Sequence, residues 1–332
     1  MTRPTIDIHA HILDPEAIRL MQREIPSVAP VLTPISDDFA DLAVAGTHYR
    51  PFPRGGWDLE RRLQDMARYG FDRQVVAVCP QTVLYDQDPS LTLTASQIQN
   101  DQISSLVRVR PDQFRGLATV PMQSPELAAA ELRRAMAEGG LSGAMIGSNI
   151  EGRNLDDPAL EPFWAAASDL RALLLVHPLK VAGIDRQRSY YLQNLIGNPL
   201  DTTIAAACLV FGGVLERFPG INFLMSHGGG FTPYQAARWE HGWTVREEAR
   251  ARLTSPPRAS LDRLFYDTIL HDAAPLQFLA DQVGAGRVLL GSDYPFDMGQ
   301  YDAVAVIRGL RLPAAGHDTI LGGAALALLD RP

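Results

Sequence analysis

The chain has 332 residues, 46% hydrophobic and 20% charged, enough to bury one large core or two small ones. A formal net charge of -8 and a pI near 5.5 leave no basic face, which excludes nucleic acid and an anionic membrane surface as partners. No uncharged apolar run reaches the roughly 18 residues of a membrane helix, no basic stretch leading into an apolar one opens the chain, and Cys79 and Cys208 sit singly in apolar runs, so a cytoplasmic protein without a disulfide framework is predicted.

The first element is Thr5-Ile6-Asp7-Ile8-His9-Ala10-His11-Ile12-Leu13. Its β-branched residues predict a strand, and the i, i+2 spacing then sets both imidazoles side by side on one face, where two nitrogens can grip one cation. The bland alternative is a strand whose histidines merely alternate with Ile and Ala. Residues 14–57, rich in Pro, Asp and Gly, are predicted to be an irregular lid or small insertion. Asp58 is placed to cap a helix that runs through Tyr69 and stops at Gly70.

From there short apolar runs alternate with helix-period segments. Strands are predicted at 74–80, 116–121, 143–150, 172–177, 222–227, 264–270 and 287–291. Helices are predicted at 92–109, 124–138, 158–170, 201–217, 232–250, 273–283 and 302–310, with a last helix at the end. With the first run this makes the eight strands of an α/β fold of the (β/α)8 TIM-barrel type, one domain over 1–332 with the insertion after its first strand. An open doubly wound sheet is disfavoured, because no Gly-x-Gly-x-x-Gly follows the first strand.

In a barrel the C-terminal strand ends converge on one mouth. Strand one offers His9 and His11, strand five ends Leu174-Leu175-Val176-His177, strand six ends Met225-Ser226-His227-Gly228-Gly229-Gly230, and strand eight ends Leu290-Gly291-Ser292-Asp293-Tyr294-Pro295-Phe296. A single histidine after an apolar strand is more often a hydrogen-bonded core residue. Several at one end of a barrel suit a divalent ion such as zinc, with a position left for water.

The combination Asp7-Ile8-His9-Ala10-His11, Val176-His177-Pro178, Ser226-His227-Gly228-Gly229-Gly230 and Gly291-Ser292-Asp293-Tyr294-Pro295-Phe296 resembles the amidohydrolase superfamily, in the branch of 2-amino-3-carboxymuconate 6-semialdehyde decarboxylase. The likeness extends from Thr5 to the last helix and includes Thr202-Thr203-Ile204-Ala205 and Phe211-Gly212-Gly213-Val214. It implies that His9, His11, His177 and Asp293 ligate one divalent ion, Zn2+ in the first place with Mn2+ as the alternative. It implies too that His227 is the acid/base, Asp293 sharing in the chemistry. The bridging lysine of many binuclear relatives has no counterpart in Gly143-Ala144-Met145-Ile146-Gly147-Ser148-Asn149-Ile150, which favours a single ion.

The resemblance also assigns carboxylate binding to arginines: Arg50, seven residues before Trp57-Asp58, and then Arg238 and Arg246. A planar guanidinium suits a carboxylate through two parallel hydrogen bonds. In the family the residue aligned with Arg238 enters the partner's site, so a homodimer is implied. The chain departs from the family pattern where Tyr191 replaces a tryptophan and where His-Pro-Trp-Asp becomes His177-Pro178-Leu179-Lys180; no lysine precedes Arg50 in Val44-Ala45-Gly46-Thr47. Lys180, the only lysine in the chain, either supplies that missing cation or is solvated, and with Tyr191 and Phe296 it is a candidate for substrate contact. His271 is a candidate for orienting a ligand, His48, His241 and His317 are expected to be structural or exposed, and Asp7 is expected to orient rather than ligate. The implied activity is non-oxidative, metal-dependent decarboxylation of a small unsaturated or aromatic carboxylic acid; the alternative is a hydrolase or hydratase of the same superfamily acting on a lactone, amide, ring-cleavage product or enoic acid.

Overall fold

The computed structural model describes residues 3–329, so the two ends of the expected 1–332 domain lie outside the described residues. In chain order the strands are β1 (Ile6–Ile12), β2 (Val31–Pro34), β3 (Phe39–Val44), β4 (Thr47–Pro53), β5 (Arg73–Val78), β6 (Phe114–Gly116), β7 (Gly143–Gly147), β8 (Leu173–His177), β9 (Asn222–Met225), β10 (Phe265–Asp267) and β11 (Val288–Leu289). Parallel ladders join β1-β5-β6 and β7-β8-β9-β10-β11. The two ladders meet at both seams. Ala118 pairs with Ala144 at one, and at the other Ile8 N donates to Leu290 O at 2.8 Å while Ala10 pairs with Tyr294. Eight strands thus close into the expected barrel.

Helices between the strands cover the outside of the barrel. Asp58 accepts from Arg61 N at 3.0 Å and opens α2 (Leu59–Tyr69), which Gly70 ends at φ 78, as the sequence predicted. On one flank Phe163, Trp164 and Phe223 are buried, with Trp164 ring centroids 5.2 Å from Phe163 and 5.8 Å from Phe223.

Five expectations need correction. The strand predicted at 116–121 lies earlier, at Phe114–Gly116, and the one predicted at 264–270 pairs only over Phe265–Asp267. The helix predicted at 201–217 is two, Asn198–Phe211 and Val214–Arg217, because Gly213 at φ 69 breaks it; the one predicted at 232–250 ends at Val245.

The irregular segment 14–57 is the fifth. Asp14 accepts from Glu16 N at 2.8 Å and Ala17 N at 3.1 Å to start α1 (Pro15–Glu24), and β2-β3-β4 then form an antiparallel sheet. Its hairpin turn is Ala45-Gly46 at φ 47 and φ 80, the positive pair that a two-residue turn between right-twisted strands requires. The sheet packs Leu42, Val44 and Phe52 against Leu13, Met21 and Leu84. Polar and Pro-rich composition hid this order, since half the sheet faces away from its core.

Candidate metal centre and active site

Four side chains come together at the mouth. In β1 every residue is buried, and past a register shift against β5 between Asp7 and Ala10 the His9 and His11 side chains meet. His177 is the last residue of β8, and Asp293 follows β11 in a left-handed turn at φ 58. One ligand atom from each of His9, His11, His177 and Asp293 lies within 4.8 Å of the others, all buried. His9 Nε2 is 3.0 Å from His11 Nε2, and Asp293 Oδ1 is 3.5 Å and 3.1 Å from the same two atoms.

The outward nitrogens fix the tautomers. His9 Nδ1 lies 2.7 Å from Asp267 Oδ2, His11 Nδ1 2.9 Å from Val78 O and His177 Nδ1 3.1 Å from Pro178 O. An acceptor on each Nδ1 places the proton there and turns the Nε2 lone pair inward. His177 Nε2 and Asp293 Oδ1 are buried without a hydrogen-bond partner. Burial holds the His11 pKa below the ordinary value, and burial together with the neighbouring imidazoles holds His177 well below it, so both are neutral and ready to ligate. Burial opposes protonation of His9 as well, but the Asp267 hydrogen bond and the charge of Asp293 outweigh it and raise its pKa. Lone pairs and a carboxylate aimed at one point fit a divalent cation.

His227 stands beside this cluster, its Nε2 3.5 Å from Asp293 Oδ2 and its Nδ1 buried without a partner. Its own φ is 53, and Gly228, Gly229 and Gly230 follow at 62, 73 and 60. A run of left-handed residues explains the three glycines: a Cβ on Gly230 would lie 2.0 Å from Pro199 O. Asp267, at the end of β10, holds the turn. Its Oδ2 accepts from His227 N at 2.9 Å and its Oδ1 from Gly228 N at 2.8 Å. Burial alone would raise its pKa, but the His9 hydrogen bond, the His9 and His227 charges and the Gly228 N–H together lower it, so Asp267 is an anion.

Asp267 is therefore the functional residue that the sequence reading missed; it orients a ligand and the neighbouring acid/base candidate at once. The signal was its place at the C-terminal end of strand seven. The His271 candidate is exposed instead. Asp7 stands outside the ligand cluster: it accepts from Ser292 Oγ at 2.6 Å, Ser292 N at 3.0 Å and Gln74 Nε2 at 2.9 Å.

A cavity of about 360 Å3 opens over the cluster. His177, His227, Asp293, Lys180, Tyr191 and Phe296 line it, together with Val44, Thr47 and Tyr49 of the insertion. Arg50, Arg238 and Arg246 do not. Arg50 is exposed and 4.0 Å from Asp41, Arg246 pairs with Glu248 at 2.8 Å, and Arg238 lies exposed on α8 (Thr232–Val245). Among the remaining histidines, His48 pairs with Asp41 at 2.9 Å, His317 lies 3.0 Å from Leu310 O, and His241 is exposed.

Residues 6–331 match the family model described as Amidohydrolase. The chain is 34% identical over 327 residues to 2-amino-3-carboxymuconate-6-semialdehyde decarboxylase of Dictyostelium discoideum, covering 98% of this chain and 91% of that one. Its fold is similar to 5-carboxyvanillate decarboxylase of Sphingomonas paucimobilis (TM-score 0.82, 22% identity, 100% of both chains). It is also similar to the dihydroxybenzoic acid decarboxylase of Polaromonas sp. JS666 with bound manganese (TM-score 0.81, 21% identity, 100% of this chain and 98% of that one). With a closed barrel, a converging three-imidazole and one-carboxylate cluster and these matches, the chain belongs to the amidohydrolase family, in the branch of 2-amino-3-carboxymuconate-6-semialdehyde decarboxylase.

Proposed function

We propose that this protein is a metal-dependent carboxy-lyase that removes carbon dioxide, without oxidation, from a small unsaturated or aromatic carboxylic acid. The observation that carries the reading is the convergence of His9, His11, His177 and Asp293 with His227 beside them. The relatives' names supply the reaction type.

His9, His11, His177 and Asp293 are the ligands of one divalent ion, for which zinc suits three nitrogens and one oxygen and manganese is the alternative that the Polaromonas protein binds. When bound, the ion supplies Lewis-acid polarisation of a substrate oxygen. His227 delivers a proton from Nε2 to the carbon that bears the carboxylate. The carbon–carboxylate bond then breaks, carbon dioxide leaves, and its bonding pair restores the unsaturation. Phe296, packed 5.4 Å from the His11 ring, and Tyr191 wall the substrate and keep water from the reacting carbon.

The arginines belong to a homodimer in this reading. Tyr234, Arg238, His241 and Val245 recur at helical spacing along one side of α8, and all four are exposed, an apolar and cationic stripe suited to a second copy of the chain. The partner subunit's Arg238 would reach the carboxylate that is lost, and Arg50, on β4, and Arg246, directly after α8, would bind carboxylate only where the assembly of two copies brings a cavity to them. Among the described residues no helix is long and apolar enough to cross a membrane; the partner in this reading is a small-molecule carboxylate.

The test is to load the protein with Zn2+ or Mn2+, incubate it with carboxymuconate semialdehydes and hydroxybenzoates, and follow absorbance and gas release. Carbon dioxide together with a product smaller by one carboxylate supports the reading. A product that has gained one water instead assigns the chain to the hydrolases and hydratases.

A further inference from the structure

We infer that Arg62 is a positioning residue for the metal centre: its guanidinium ties both chain neighbours of Asp293 and the backbone of His11 to one buried point, and so sets how closely these ligands converge. The inference rests on the single-cation reading of the cluster. It deepens that reading by naming a residue outside the cluster on which affinity for the ion depends.

Arg62 stands on α2 and is fully buried. Its Nη1 donates to Gln74 Oε1 at 2.9 Å, its Nη2 donates to His11 O, and its Nε is buried without a hydrogen-bond partner. The central carbon of the guanidinium lies over the Tyr294 ring, 4.8 Å from the centroid. Two closed circuits run from these contacts. In the first, His11 N donates to Tyr294 O at 2.6 Å, and the Tyr294 hydroxyl donates to Asp65 Oδ2 at 2.8 Å, one turn along α2 from Arg62. In the second, Gln74 Nε2 donates to Asp7 Oδ2 at 2.9 Å, and Asp7 accepts from Ser292 N at 3.0 Å and Ser292 Oγ at 2.6 Å. Ser292 Oγ in turn accepts from Tyr294 N at 3.1 Å. Ser292 and Tyr294 are the residues on either side of Asp293.

A buried cation whose two hydrogen-bond acceptors are both neutral is a weak source of stability, because no carboxylate in contact offsets its desolvation. What the guanidinium supplies is geometry. Its planar fork fixes the direction of Gln74 and of His11 O at once, which the single ammonium of a lysine on a flexible stem does not do. Asp293 holds left-handed backbone, at φ 58, a conformation that a non-glycine residue keeps only when its surroundings impose it. The two circuits impose it, one through each flanking residue. The 3.1 Å between His11 Nε2 and Asp293 Oδ1 is therefore set from beneath, by a residue that hydrogen-bonds to neither side chain.

The experiment is a competitive zinc titration of the full chain, with Tm recorded for each variant. Arg62→Lys keeps the charge and loses the fork. It should bind zinc roughly 10- to 100-fold more weakly, and the visible absorption of the Co2+-loaded protein, which reads ligand geometry, should change with it. Gln74→Met leaves Arg62 on His11 and cuts only the path to Asp7. It should weaken zinc binding in the same direction, and the loss in the double variant should fall short of the product of the two single losses. Where Arg62→Lys does not fold, Gln74→Met decides. Unchanged zinc affinity in a folded variant with only its Tm lowered, or two losses that multiply, overturns the inference. Because the readout is binding and not turnover, an unmodified protein that takes up zinc and releases no carbon dioxide would sink the decarboxylase reading alone.

Discussion

The floor and the rim of the cavity are built from opposite materials. On the floor, His9 and His11 are fully buried and Asp293 is 8% exposed, on strand ends and one tight turn, with each imidazole Nδ1 held by a fixed acceptor. On the rim, Lys180, Asp86 and Glu151 are 55%, 44% and 37% exposed, on loops, with Lys180 paired to both carboxylates. A dry floor makes each electrostatic contact strong and leaves no freedom to rearrange, whereas water and salt weaken a wet rim and let it vary. The candidate chemistry sits where geometry is fixed.

Replacing a floor ligand should therefore have the largest effect. His177→Ala or Asp293→Ala should abolish tight metal binding, measured by elemental analysis after dialysis, and lower turnover by about 1,000-fold or more, the scale of losing several kcal/mol of Lewis-acid stabilisation. If His227→Asn still binds metal but turns over 100- to 10,000-fold more slowly, a range of about that width being usual for a lost acid/base, the division between ligands and proton donor holds. Retained activity would place the proton elsewhere.

Asp267→Asn sits one step back. It keeps the shape of the side chain but turns an acceptor of four contacts into a partial donor, and it should cost roughly 10- to 100-fold in metal affinity or activity, both read by zinc titration with kcat followed in parallel. Gly230→Ala should act on the turn alone, where the added Cβ meets Pro199 O. About 1–3 kcal/mol of stability, read as a fall in Tm, is the expected cost. The rim should respond least: Lys180→Met breaks exposed ion pairs worth at most about 1 kcal/mol, so Tm should hardly move. A large drop in Tm would mean that the rim is as rigid as the floor.

The same contrast decides what was legible in the sequence. His9, His11, His177, His227 and Asp293 could be read because strand ends in a parallel barrel all point to one mouth, so sequence position alone implies convergence. Asp267 occupies an equivalent end, but one carboxylate in Phe265-Tyr266-Asp267 has no spacing partner to mark it. Asp7 accepts from Ser292 and Gln74, partners far along the chain that strand parity with the histidine pair does not name. The insertion and the rim were not legible in this way. Whether Lys180 faces substrate or solvent depends on Glu151 and Asp86, which are 29 and 94 positions away along the chain, and the order in residues 14–57 depends on packing against Leu13 and Leu84. Arg50, Arg238 and Arg246, assigned by resemblance, stay outside the cavity of one chain, so their part rests on a second copy.

Metal removal and return is the most direct trial of the whole account. After chelation and desalting, the protein should release no carbon dioxide from its substrate. Adding back Zn2+ or Mn2+ should restore release in step with occupancy and saturate at one ion per chain. Full turnover by ion-free protein, or two ions needed per chain, would contradict the single-cation site.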